Sequence, residues 1–235
     1  MKKTRVIVKP TVFVCSLIPL GWLTFALWSD TVNGTKIMTA DPVQKLNREL
    51  GDWVLIFIII TLVIRPASEI LKRPKFIAYR RMLGLFASFY AFLHFCSYVG
   101  IDLQFDWAEL VKDVTKRNFI IVGFIGLMLM TPLVITSNKS MVKKLGNQRW
   151  RRLHFLIYPI AILGVLHFYM MVRADYSRPL FYGTIIVVLL LYRLWKYYLK
   201  SRSKDRPLRF YLGFGHPPAC QIGGAFFSRF FNAWR

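Results

Sequence analysis

Three histidines lie inside apolar stretches of this sequence: His94 in "FYAFLHFCSY", and His154 and His167 in "WRRLHFLIYPIAILGVLHFYM". The fourth, His216, sits in the Gly- and Pro-rich stretch "GFGHPPAC" and carries no comparable signal. An imidazole surrounded by hydrocarbon is costly unless it faces a bundle interior and meets a partner there. One such residue reads most simply as an interhelical hydrogen bond. Three point to metal or redox chemistry. His94 lies six residues before Gly100 and His167 six residues before Arg173, where their apolar runs end on one side. At about 1.5 Å per residue, both imidazoles sit roughly 9 Å inside that boundary. Two imidazoles at one depth on two helices can take the two axial positions of one haem iron. Zinc would ask for three or four ligands, and Cys96, two positions from His94, does not share its face. Without a C-x-x-C-H motif, a haem here would be held by coordination alone, as haem b.

His154 lies thirteen residues before His167, about 20 Å along a helix and roughly 140° around it. Pro159, between them, is the expected place for a bend. Fourteen residues before His94 stands Arg80, within about 40° of the same face but at the opposite boundary. Arginine is a poor haem ligand and a good anion clamp. The Arg80 and His154 level therefore reads as a docking place for an anionic or redox-active small molecule. Taken singly, Arg80, Arg81, Arg151 and Arg152 are ordinary basic flanks of a membrane span.

The elements that carry these residues are long and apolar. Of 235 residues, 55% are hydrophobic and 16% aromatic, and the mean hydropathy is +0.42, too apolar for a soluble domain. Six segments approach the roughly 20 apolar residues that cross a bilayer. They run over Thr11–Trp28, Gly51–Ile64 with a start as early as Leu46, Met82–Gly100, Asn118–Thr136, Leu153–Val172 and Leu180–Tyr197. The first reads as a retained anchor rather than a cleaved signal peptide, because no A-x-A site follows Trp28.

A net charge of +22 would suit nucleic acid if the cations formed a patch, but they fall between the spans. The N-terminus, residues 65–81, 137–152 and the tail from Lys196 carry 24 Lys and Arg against Glu69 and Asp205. In the alternate loops the cations are fewer and balanced by acids. Positive charge stays on the cytoplasmic side, so both termini are expected there, with the basic loops against anionic lipid headgroups. The reading is an all-α polytopic membrane protein: a cytoplasmic N-terminus (1–10), a six-helix transmembrane domain (11–198) and a basic cytoplasmic tail (199–235). No nucleic acid is expected as a partner. No period of 20 to 50 residues repeats, and neither a dinucleotide-binding motif nor a P-loop is present. Cys15, Cys96 and Cys220 give no disulfide framework.

"RRMLGLFASFYAFLHFCSY" (Arg80 to Tyr98), "KRNFIIVGF" (Lys116 to Phe124) and "MTPLVITSNKSMVKKLGNQRWRRLHFLIYPIAILGVLHFYM" (Met130 to Met170) resemble the haem-binding membrane subunit of the bacterial periplasmic methionine sulfoxide reductase system. This is the MsrQ/YedZ family, of the ferric-reductase-like transmembrane group. The resemblance covers about Leu46 to Leu199. It implies a six-helix b-type cytochrome of the inner membrane that takes electrons from respiratory quinones. The electrons pass to a periplasmic molybdopterin-containing catalytic subunit that reduces methionine sulfoxide. It makes His94 and His167 the axial haem ligands, His154 the third family histidine, and FMN a further cofactor, placed by inference near Arg80 and His154. The chain itself is then an electron-transfer subunit and not the sulfoxide-reducing one. The acidic stretch "IDLQFDWAEL" (Ile101 to Leu110) and residues 173–179 are the expected docking surface. The alternatives are a transmembrane ferric or cupric reductase of the same group, or a small histidine-containing transporter or proton channel. The tail from Arg206 matches nothing in the family.

Overall fold

The computed structural model describes residues 2–39 and 41–211; the last part of the basic tail, with His216 and Cys220, lies outside the described residues. All regular structure among them is helical: α1 (Lys2–Asn33), α2 (Pro42–Ile70), α3 (Arg80–Ser97), α4 (Trp107–Lys116), α5 (Asn118–Ile135), α6 (Lys139–Leu153), α7 (Ile157–Met171) and α8 (Ser177–Tyr211). Six of the helical stretches are long and apolar enough to cross a membrane. The described residues divide into two units, one up to Gly183 and one from Thr184. The second continues α8 as an apolar helix whose Val187, Val188, Leu191 and Leu194 are exposed.

In the first unit, α2 and α5 each pack against both α3 and α7, so α3 and α7 stand diagonally across a four-helix core. Lipid is as apolar as a leucine side chain, so packing and interhelical hydrogen bonds hold such helices together. Ile58, Leu62, Ile160 and Ala161 fill the centre, and the rings of Phe57 and Tyr90 stack at 5.2 Å. On α1, the exposed residues include Phe13, Ile18, Trp22 and Phe25, the surface expected of a helix that faces lipid.

Each start has a local cause. Asp41 caps α2 by accepting from Gln44 N–H at 2.9 Å, with Pro42 at the first helical position, where its missing N–H costs nothing. Asp106 caps α4 by accepting from Ala108 and Glu109 N–H. Gly34, at φ +65°, ends α1, and Asp30 then accepts from Ile37 and Met38 N–H to turn the chain back.

Tyr90 ties α1 to this core in an unusual way. Its hydroxyl accepts from Leu20 N–H at 3.2 Å and donates to the Ser16 carbonyl at 2.9 Å. It thus stands in the rung that would join residues 20 and 16, beside Pro19, which has no N–H of its own.

Two sequence expectations shift. The second span is longer than its apolar run at both ends, Pro42–Ile70. Where a bend is expected at Pro159, the helix tightens instead into a 3₁₀ turn over His154–Leu156, and the non-helical break in this stretch lies at Gly146, φ +74°. Pro159 then sits in the first turn of α7, and the rung it cannot make is to Phe155, inside that turn.

Candidate functional site

His94 on α3 and His167 on α7 meet across the diagonal of the core. Their ring centroids are 6.2 Å apart and their planes lie at 85°. Both line one largely apolar cavity, bounded also by Leu55 and Ile58 of α2, Leu110 and Val114 of α4, and Phe119 and Phe124 of α5. The matched depth inferred from the helical rise is therefore the depth at which the rings meet.

The two histidines are seated alike. His94 Nδ1 lies 2.9 Å from the carbonyl of Asn47, and His167 Nδ1 lies 2.6 Å from the carbonyl of Phe119. A carbonyl only accepts, so each Nδ1 carries the proton and donates it. The other ring nitrogen of each neutral imidazole, Nε2, is left with its lone pair. A backbone carbonyl that fixes the tautomer in this way is the usual support of a metal-binding histidine.

Each accepting carbonyl belongs to a residue four before a glycine: Asn47 before Gly51 on α2, Phe119 before Gly123 on α5. In an α-helix the carbonyl of one residue already takes the N–H of the residue four on. A side ring reaches the second lone pair only if no Cβ stands over it. A Cβ on Gly123 would lie 2.7 Å from His167 Nδ1, and one on Gly51 would lie 3.3 Å from His94 Cε1. The separations from carbonyl to histidine are 47 and 48 residues, so α2 with α3 and α5 with α7 repeat one device. The sequence hides this because only three positions in each half carry it.

These features fit a bis-histidine haem. Metal–nitrogen bonds of about 2 Å on both sides of an iron would put two ring centres roughly 6 Å apart, against the 6.2 Å found. Among the described residues no three His, Cys, Asp or Glu side chains converge on a metal site, so the zinc alternative gains nothing.

His154 is built differently. Its Nε2 lies 3.2 Å from Thr136 Oγ1, whose own proton goes to the Pro132 carbonyl at 2.6 Å. Nε2 of His154 is then the donor, the tautomer opposite to that of His94 and His167. Trp150 stacks on its ring at 4.0 Å and donates Nε1–H to the Thr136 carbonyl. The charges of Arg80 and Arg81 reach this imidazole, and Arg81 Nε donates to the Ser137 carbonyl. The structure thus brings Arg80 and His154 together at one level and keeps both away from the cavity of His94 and His167.

Sequence reasoning missed several groups around the cavity: the two glycines, the carbonyls of Asn47 and Phe119, and the buried Asp52. Asp52 lines the cavity and pairs with Arg178 of α8 at 3.0 Å. An acid within an apolar run was the available signal. The acidic stretch 101–110 is also more than a loop: it leads into α4, and Tyr98 donates to Asp113 of that helix.

Comparison with known proteins agrees with this site. The Ferric reductase like transmembrane component family matches residues 50–165. The protein-methionine-sulfoxide reductase heme-binding subunit MsrQ of Caulobacter vibrioides is 43% identical over 196 residues, which cover 83% of this chain and 90% of that protein. The chain belongs to the MsrQ/YedZ family. Other MsrQ proteins of similar closeness come from Polaromonas naphthalenivorans, 42% identical over 83% of this chain and 88% of its own length, and Herminiimonas arsenicoxydans, 43% over 86% and 90%. With six helices of membrane-crossing length, this MsrQ-family chain is a multi-pass protein of the bacterial inner membrane.

Proposed function

We propose that this chain is a b-type cytochrome subunit that carries electrons from the respiratory quinone pool across the inner membrane to a periplasmic molybdopterin-containing methionine sulfoxide reductase. One observation carries the reading: two imidazoles in one cavity, 6.2 Å apart, each with Nδ1 spent on a backbone carbonyl and Nε2 left to coordinate. The names of the relatives, heme-binding subunits of protein-methionine-sulfoxide reductase, supply the system.

His94 and His167, each with Nε2 left free, are the residues that would hold the haem iron. Haem in that place supplies a one-electron carrier on the way from one face to the other. The chain's own part is to fix both imidazoles, keep the cavity apolar and close it with α4. A dry cavity strengthens the electrostatic hold of its few polar groups. Arg80 and His154, at the other level, receive the quinol and, on the same basic surface, FMN; the cationic guanidinium suits an anionic headgroup or phosphate. Both termini are cytoplasmic on this reading, which places Arg80 and His154 on the inner side and α4 on the outer side, facing the partner. The tail from residue 199 is part of the cytoplasmic surface. Sulfoxide reduction itself belongs to the partner.

The test is a difference spectrum of the purified full-length protein in detergent. A dithionite-reduced minus oxidised spectrum with b-type bands, and reduction of those bands by a quinol, are expected. A colourless preparation from haem-replete cells would sink the reading.

A further inference from the structure

The cavity wall carries one cation. Among the described residues that line it, Arg48 is the only lysine or arginine, and Asp52, His94, His167 and Tyr98 are the other ionisable groups. Asp52 is already neutralised by Arg178. Lys45, three residues before Arg48 on α2, is engaged with Glu49 at 2.8 Å. Arg48 has no carboxylate within ion-pair distance among the described residues, although Glu49 is its neighbour in sequence. An exposed arginine at the edge of a largely apolar cavity, in no ion pair among the described residues, is suited to a carboxylate or phosphate that reaches that edge.

Its position defines what kind of anion it can meet. Arg48 is next to Asn47, whose carbonyl holds His94, and three residues before Gly51, against whose Cα the ring of His94 lies. Three residues of helix rise about 4.5 Å, so Arg48 marks the rim of the cavity just beyond the level of the histidines, at the end where α2 begins. An anion bound there would belong to a molecule whose centre lies between the two imidazoles and whose charged edge points to that rim. We infer that Arg48 is the anchor for a haem propionate, fixing which edge of the macrocycle faces the α2 N-terminus. This rests on the haem reading above. A phosphate of a lipid headgroup offers the same chemistry from a second source, and the test separates the two.

The full-length chain is produced in haem-deficient cells, purified in detergent without added lipid, and titrated with haem b and with its dimethyl ester, in which both propionates are uncharged. Binding is read from the absorbance of the coordinated haem. Wild type is expected to bind haem b about tenfold more tightly than the ester, the scale of one charge-assisted pair. Arg48→Ala should lose that preference while its affinity for the ester stays within twofold, and Arg48→Lys should restore part of the preference. Lys45→Ala, whose partner is Glu49, should behave as wild type. Equal binding of both haems by wild type, or equal weakening of both by Arg48→Ala, overturns the anchor and leaves a lipid or merely structural role for Arg48. Failure of wild type to take up either haem overturns the haem reading itself, a distinct result.

Discussion

His94 and His167 face each other at 6.2 Å because α3 and α7 are diagonal in the core and not neighbours. Helices in direct contact pack 8–10 Å axis to axis and would press such rings together. The diagonal opens the space, and α2 and α5 close its sides while supplying the two carbonyls that orient the rings.

On the proposed haem reading, His94→Ala and His167→Ala are each expected to abolish the b-type spectrum, since no third histidine among the described residues lines the cavity to take over. His154→Ala should keep the spectrum and slow its reduction by quinol about tenfold, on the scale of one lost hydrogen bond. Haem content per mole of protein and stopped-flow reduction by a quinol separate the two outcomes. Loss of haem in His154→Ala with retention in His167→Ala would reverse the pairing.

The glycines should rank by the room they leave. Gly123→Ala puts a Cβ 2.7 Å from His167 Nδ1 and is expected to remove most of the haem; Gly51→Ala, at 3.3 Å from His94, should loosen it and change the spectrum. Gly21 of α1, outside the cavity, has nothing within 4 Å, and Gly21→Ala should keep full haem with a slightly steadier helix, since alanine is favoured over glycine in a helix by about 1 kcal/mol. Haem content beside a thermal melt checks the order.

Asp52 and Arg178 form an unequal pair, the acid buried and the arginine largely exposed. Arg178→Ala strands a buried carboxylate and should cost about 1–2 kcal/mol, less than a fully buried pair would because water screens the guanidinium. Asp52→Asn leaves only an exposed cation and should cost less. The double variant should lie near Asp52→Asn, a non-additivity that a melting series in detergent would show.

Tyr90→Phe removes the hydroxyl that stands between Leu20 N–H and the Ser16 carbonyl. A loss of about 1 kcal/mol is expected, the usual scale of a hydrogen bond between membrane helices. The haem spectrum should be unchanged, because Tyr90 does not line the cavity. A spectral change without a fall in melting temperature would contradict this assignment.

Much of this protein is legible along the chain because membranes make local properties decisive. Spans follow from runs of apolar residues, and the common depth of His94 and His167 from a helical rise that the backbone fixes. The level shared by Arg80 and His154 follows from the same count. Even the tight turn near Pro159 was legible to within a few residues, since a proline disturbs the rung four residues behind it.

Other features needed the third dimension. Which carbonyl takes the proton of each histidine, and which glycine clears the way, depends on how α2 and α5 are rotated about their own axes. No hydropathy pattern records that rotation in helices that are apolar all round. The same holds for Asp52 with Arg178, partners from the second and last helices, and for His154, whose tautomer is set by Thr136 on a different helix. Sequence alone determined that three imidazoles would lie in a membrane and at what depths. The tertiary structure decided which two look at each other and through which nitrogen, because hydrogen bonds across helices depend on ångström-scale contacts between residues 47 and 48 positions apart.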